Sequence, residues 1–430
     1  MMRPLIILVV VASLFSSCVS SIRVALDKNL AATEARFKDH TGFVLFDPTT
    51  NEELYAYNGD RYFTPASNTK IFTFYTCLKI LGDSIPGLRY IEKGDSTIFW
   101  GTGDPSFLYK YVYQNQRTWN LLKTAPGSLY FSNSNFNTAH FGPGWAWDDY
   151  NDYYSAERSP FPIYGNIFSV EIDEGGSHLK PRYFKNFQSV GTRQYRPKVE
   201  RKLESNDFTY FPGRKLDTLD VPFKVDADFI TTLLADTLQR KVTLVNKRMV
   251  HGAKTTYSAP ADSIYKVMMV DSDNFLAEQL LLVCAGVISD TLQPEIAIKY
   301  AKKNLLADLK DSPVWVDGSG LSRYNLFTPR TLVAIWDKIY DLAPKVRLFS
   351  LLPVGGQTGT IKNWYRGKNG KPYVFAKTGT LSNNHSLSGY LVAKSGRTLI
   401  FSFMSSNYVA STSDVRRQMQ IVLEEVYEHY

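Results

Sequence analysis

The chain has few cysteines, few histidines and no long apolar run beyond its first residues. Three cysteines in 430 residues (Cys18, Cys77 and Cys284) are too few for a disulfide framework. Six scattered histidines form no zinc-ligand spacing with them, so neither a metal nor another cofactor is expected. After residue 17 no stretch approaches the roughly 18 apolar residues of a membrane span. The 27 tyrosines come with no basic–aromatic repeat, which argues against nucleic-acid stacking. Acids are outnumbered, 41 against 49 Lys plus Arg, and the net charge of +8 suggests an anionic partner. What is present is apolar bulk: 44% of residues are hydrophobic, enough to exclude global disorder. At about 100–200 residues per domain, the length predicts two to four domains or one large domain with insertions. No internal repeat is visible.

Residues 1–18 read as an export signal. Arg3 gives a positive start, and Leu5 to Phe15 is apolar apart from Ser13. That run of 11 is shorter than the roughly 20 residues of a spanning helix and suits a secretory h-region. Ser16 and Ser17 before Cys18 resemble the cleavage box of bacterial lipoproteins, in which the cysteine is lipidated. Phe15 fits that box poorly, so ordinary signal cleavage stands beside it. Both readings make the mature chain exported and periplasmic; the lipoprotein reading adds a lipid on Cys18 as its sole tie to a membrane.

Residues 22–37 have the period of an amphipathic helix, and 42–46 with 53–57 alternate like a strand pair. Residues 67–81 read as a mostly buried helix. From about 85 to 255 short strands, glycine, proline and aromatics dominate, with one helix near 227–238. Helical periods return at 260–270, 273–287 and 328–342, the last opened by Thr328-Pro329. Residues 386–393 and 398–405 form a hairpin pattern, and a final helix starts near Ser413. Helices at both ends around a sheet imply an α/β (α+β) layer architecture.

Three short motifs carry chemistry. Ser67-Asn68-Thr69-Lys70 places a lysine three residues after a serine, on one helical face. A serine attacks only when a neighbouring base takes its proton, and a lysine can be that base if its pKa is lowered. Ser272-Asp273-Asn274 follows 205 residues later at a helix start, supplying a second hydroxyl and a carboxamide. Lys377-Thr378-Gly379-Thr380 then supplies a second cation in an extended stretch. Gly379 is expected to let a substrate backbone approach that strand. Each motif alone is weak: Ser263-Ile264-Tyr265-Lys266 is a decoy for the first, and an N-cap explains Ser67 equally well. The ordered set is specific and matches the serine–lysine signature of penicillin-binding proteins and serine β-lactamases.

Five surrounding stretches resemble the D-alanyl-D-alanine carboxypeptidase/endopeptidase family of the penicillin-binding protein 4 type, peptidase family S13. They are 65–70, 101–105 (Gly-Thr-Gly-Asp-Pro), 144–149 (Gly-Trp-Ala-Trp-Asp-Asp), 317–325 (Asp-Gly-Ser-Gly-Leu-Ser-Arg-Tyr-Asn), and 377–381 with 386–390. The chain departs from the family at 356–361, Gly-Gln-Thr-Gly-Thr-Ile, where an acid is usual. The resemblance implies the serine penicillin-recognising fold, an antiparallel sheet flanked by helices with a large β-rich insertion between the first and second motifs. The expected division is a catalytic domain of residues 22–85 and 256–430 and an inserted accessory domain of 86–255.

The resemblance also implies roles. Ser67 is the nucleophile and Lys70 its base, while Ser272, tuned by Lys377, relays a proton to the leaving amine. Asn274 holds the substrate amide, and Lys377 and Thr378 attract the terminal carboxylate. The backbone N–H groups of Ser67 and Thr380 form the oxyanion hole, and Gly379 completes the strand. Trp145, Asp148, Tyr153 and Arg323 are implied to shape a pocket for the charged end of the third stem-peptide residue. Structural packing by the two tryptophans, Trp145 and Trp147, and a structural ion pair at Arg323 remain open beside that. The implied partners are peptidoglycan stem peptides and β-lactam antibiotics, with no nucleic acid. A β-lactamase or esterase on the same scaffold, or a non-catalytic peptidoglycan-binding protein, are the alternatives.

The basic excess is local. Lys180, Arg182, Lys185, Arg193, Arg196, Lys198, Arg201 and Lys202 lie within 23 residues against Glu200 alone, a local charge of +7 that leaves +1 elsewhere. Anionic envelope polymers, an acidic protein and a plain solvated surface are the readings of this segment.

Overall fold

A computed structural model describes residues 22–430 except 114–115, 174–175, 214–216, 251 and 368–369. The expected signal segment, with Cys18, lies outside the described residues. The chain divides into two compact units. The first holds the described residues up to Ile71, then Leu309–Trp315 and Tyr324–Tyr430; the second holds Phe72–Asp308 and Val316–Arg323. The expected insertion, 86–255, lies wholly within the second unit.

The first unit is built on a five-stranded antiparallel sheet. Its order is Val374–Leu381, Asn384–Val392, Thr398–Ser406, His40–Asp47, Glu52–Tyr57. Alternation along each strand gives the sheet two apolar faces. One face, with Phe43, Leu45, Leu387, Phe401 and Phe403, is covered by helix 22–37 and helix Thr412–His429. These terminal helices contribute Leu26, Leu30, Met419 and Val422, all fully buried. At roughly 1.5–3 kcal/mol per buried large aliphatic side chain, this layer stabilises the unit substantially. On the opposite face helix Pro329–Leu342 packs against the sheet. It starts where Thr328 accepts from the Thr331 N–H and Pro329 occupies the first turn, the geometry the Thr-Pro pair predicts. Trp336 meets Tyr390 edge-on, with ring centres 5.2 Å apart.

The second unit is centred on helix Asn274–Ser289, whose residues 275–285 are continuously buried. A helix apolar on every side must be enclosed on every side. Around it are helices Ala261–Val270 and Pro294–Asn304 and a five-stranded mixed sheet in the order 242–244, 128–132, 96–101, 84–92, 254–260. Two three-stranded sheets carry the rest of the β-rich middle. A second core, including Phe99, Phe131, Phe168 and Phe208, joins these sheets to helix Ala227–Leu238. Cys77 and Cys284 are buried free thiols with their sulfurs 3.6 Å apart. Among the described residues no helix is long and apolar enough to cross a membrane.

Candidate active site

Ser67 lies in a 3₁₀ turn, Ala66–Asn68, that leads into helix Thr69–Ile80. The expected helix therefore starts two residues late. Ser67 and Lys70 stand three residues apart across this junction, a spacing that puts both side chains on one face. Lys70 Nζ donates to Ser67 Oγ at 2.9 Å. Lys70 is fully buried, whereas Ser67 is half-buried. Ala66 sits in the left-handed region at φ 48°, at a cost of about 1–2 kcal/mol for a residue with a Cβ. The turn is held against that strain from both sides. The Pro65 carbonyl accepts from the Asn68 N–H at 3.1 Å and from Ser386 Oγ at 2.7 Å.

Asn68 links this turn to the Lys-Thr-Gly strand. Its Nδ2 donates to the Lys377 carbonyl at 3.1 Å, and its Oδ1 accepts from Ser388 Oγ at 2.5 Å. Ser388 Oγ in turn accepts from Trp336 Nε1 at 2.9 Å. All four residues are fully buried, so each group depends on its partner. A Cβ on Gly379 would lie 2.3 Å from the Pro65 carbonyl oxygen and 2.9 Å from the Asn68 nitrogen. Gly379 thus permits the close approach of the chain's own turn at 65–68.

Lys377 is fully buried, and its Nζ donates to the Thr378 carbonyl at 2.8 Å. Burial, and then the nearby Lys70 charge, push its ammonium well below the ordinary lysine value. Thr378 Oγ1 donates to Thr360 Oγ1 at 2.7 Å. Thr360 comes from the 356–361 loop, so that loop supports the strand through a hydroxyl. Thr380 is exposed at the end of the strand.

The second unit holds the other motif. Ser272 has φ 63°, and Asp273 caps helix Asn274–Ser289 by accepting from the Leu276 N–H at 2.9 Å. Tyr109 Oη donates to Asp273 at 2.6 Å. Asn274 Nδ2 donates to the Tyr154 carbonyl at 3.0 Å. The cap explains why Asp stands between the serine and asparagine: it starts the helix.

The Asp-Gly-Ser-Gly-Leu-Ser run is a buried loop in this unit. Asp317 accepts from the Gly320 and Ser322 N–H groups at 2.9 and 2.7 Å and from Trp145 Nε1 at 2.9 Å. Glu278 accepts from the Ser319 N–H at 2.7 Å and pairs with Arg158 at 2.5 Å. Thr73 Oγ1 donates to the Gly318 carbonyl at 2.7 Å. Trp145 is half-buried and anchors this loop, with the Arg158 guanidinium 5.2 Å above its ring. Trp147 is 78% exposed. Asp148, Tyr153 and Arg323 are exposed. Sequence reasoning missed Asn68, Ser388, Glu278 and Arg158. Asn68 sat inside a quoted motif, but its partners lie about 310–320 residues away.

The family model described as the D-Ala-D-Ala carboxypeptidase 3 (S13) family matches residues 22–426. The D-alanyl-D-alanine carboxypeptidase DacB of Haemophilus influenzae is 24% identical over 423 residues, 87% of either chain. The D-alanyl-D-alanine carboxypeptidase of Actinomadura sp. R39 is 26% identical over 86% of this chain and 78% of its own length. The crystal structure of penicillin binding protein 4 from H. influenzae superposes with a TM-score of 0.71 at 21% identity, covering 92% of this chain and 97% of that one. The fold is therefore the α+β serine penicillin-recognising fold.

Proposed function

The chain belongs to the D-Ala-D-Ala carboxypeptidase 3 (S13) family, and from that premise we propose that it is an exported serine D-Ala-D-Ala carboxypeptidase acting on peptidoglycan stem peptides. The observation that carries the reading is the 2.9 Å contact of buried Lys70 with Ser67 Oγ. Lys70 takes the serine proton as Oγ attacks the carbonyl of the D-Ala–D-Ala bond. Negative charge gathers on the carbonyl oxygen, and the N–H groups of Ser67 and Thr380 receive it. Ser272 passes a proton to the leaving amine, and Asn274 holds the substrate amide. Buried Lys377, with Thr378, attracts the terminal carboxylate. Water then releases the acyl group from Ser67. Penicillin acylates Ser67 by the same attack.

The finer roles belong to the same reading. Trp145 supports the pocket for the third stem residue by anchoring the loop that carries Arg323. Asp148 and Tyr153 reach that residue from the exposed stretch. Export runs through residues 1–18, which place the enzyme in the periplasm, with Cys18 as the lipid attachment point. The catalytic domain is 22–85 with 256–430, and 86–255 is its insertion.

The test is incubation with a defined cross-linked muropeptide, followed by mass spectrometry of the products. Wild type is expected to release D-Ala and to carry a penicillin adduct on Ser67. Ser67→Ala is expected to lose both, with turnover down by at least about 10⁴-fold. Covalent penicillin uptake by Ser67→Ala would sink the assignment.

A further inference from the structure

His385 stands opposite Thr380 in the hairpin of strands Val374–Leu381 and Asn384–Val392. Directly opposed residues point to the same face of a sheet. Thr380 is exposed, and His385 is 1% exposed. Thr380 Oγ1 and His385 Nδ1 share a hydrogen bond of 2.8 Å. The other ring nitrogen, Nε2, is buried and has no hydrogen-bond partner among the described residues. The charged groups facing the imidazole are both cations: Arg416 from helix Thr412–His429 and Lys377 from the neighbouring strand. Burial, then these two charges, push the ring down to about 3, so it is neutral at neutral pH.

A neutral imidazole carries one proton, and its position decides what Thr380 offers to a ligand. With the proton on Nε2, a buried N–H is left unpaired in the field of two cations. Nδ1 then accepts the Thr380 proton, and Thr380 presents only lone pairs outward. With the proton on Nδ1, the bare Nε2 lone pair faces the cations, which stabilise it. Thr380 Oγ1 then accepts from the ring and keeps its own proton for an outside acceptor. An orphaned buried N–H is the rarer and costlier arrangement, so the second state prevails.

We propose that His385, as the Nδ1–H tautomer, is a positioning residue that turns the Thr380 hydroxyl proton outward to the terminal carboxylate of the peptide substrate. The proposal rests on the functional reading above, which sets Thr380 in the substrate site. It adds a determinant of carboxylate recognition that the Lys-Thr-Gly-Thr motif does not contain. The ring works through Thr380 and touches no substrate atom itself.

Two thiolester peptides test this, one with a free carboxylate on its leaving group and one with that carboxylate methylated. His385→Leu is expected to raise KM for the free acid about tenfold, with kcat little changed, and to leave the methylated substrate unaffected. His385→Asn, whose carboxamide can donate from near the Nδ1 position, restores most of the loss. In a Thr380→Val background, adding His385→Leu is expected to cost nothing further on the free acid. Nitrogen-15 NMR of the wild-type ring is expected to find Nδ1 protonated and Nε2 bare. Equal losses on both substrates in folded variants, or a proton on Nε2, overturn the proposal. A wild-type chain that cleaves neither substrate overturns the functional reading and the carboxylate role with it, while the NMR result decides the tautomer separately.

Discussion

Around Ser67 the polar atoms of Asn68, Ser386 and Ser388 are buried and paired, while in the stretch 147–153 Trp147, Asp148 and Tyr153 stand in solvent. Both regions were singled out from sequence, and they are built on opposite principles. The first is over-determined: a strained alanine, a glycine with no room for a Cβ and a chain of buried hydrogen bonds all set one backbone path. Such a region can hold a nucleophile in place because alternative arrangements leave buried groups unpaired. The second is fastened to its unit at Trp145, Tyr150 and Asn151, while the side chains of Trp147, Asp148 and Tyr153 project into solvent. A surface of this kind can change its contacts without disturbing the fold.

The largest effect expected from this contrast is at Asn68. Asn68→Leu strips the Lys377 carbonyl and the Ser388 hydroxyl of their partner. At about 1–3 kcal/mol for each orphaned buried group, the loss is about 4 kcal/mol in urea unfolding. A loss below about 1 kcal/mol would show that the turn is less constrained than the geometry implies.

Next comes Asp104, buried in the Gly-Thr-Gly-Asp-Pro stretch, where desolvation raises its carboxyl to about 6. Its proton is held more tightly folded than unfolded. Its contribution is therefore full below about pH 4 and is lost as pH rises through about 6. The shift corresponds to roughly 3 kcal/mol. Asp104→Asn should flatten the stability-versus-pH curve between these values, and an unchanged slope would refute the assignment.

Trp145→Phe, which removes one donor to Asp317, should cost about 1–1.5 kcal/mol. Asp148→Ala is expected to change stability by less than about 0.5 kcal/mol. The same variant should raise KM only for substrates with a cationic third stem residue. A stability loss as large as that at Asn68 would erase the distinction between the two regions.

The basic segment gives a further measure of what sequence can convey. Its local charge of +7 is real by counting, but folding brings acids to it from elsewhere. Lys180 pairs with Glu171 and Lys202 with Asp207. Lys198 pairs with Glu200 inside the segment. Arg201 is 3% exposed and donates to the carbonyls of Pro222, Lys202 and Leu203. At least four of the eight cations are therefore engaged structurally among the described residues. A polyanion would meet a weaker field than the linear count suggests.

By itself the sequence determined the three motifs, the two terminal helices and the caps that start the helices at 274 and 329. These depend on spacings of three or four residues and on side chains that satisfy backbone groups next to them in the chain. Only the tertiary structure decided why Gly379 must be glycine, what holds Asn68, and that a histidine stands behind Thr380. Those contacts follow from strand register and from elements hundreds of residues apart. A slip of one residue would turn His385 to the other face of the sheet, and no local pattern in the chain reports that choice.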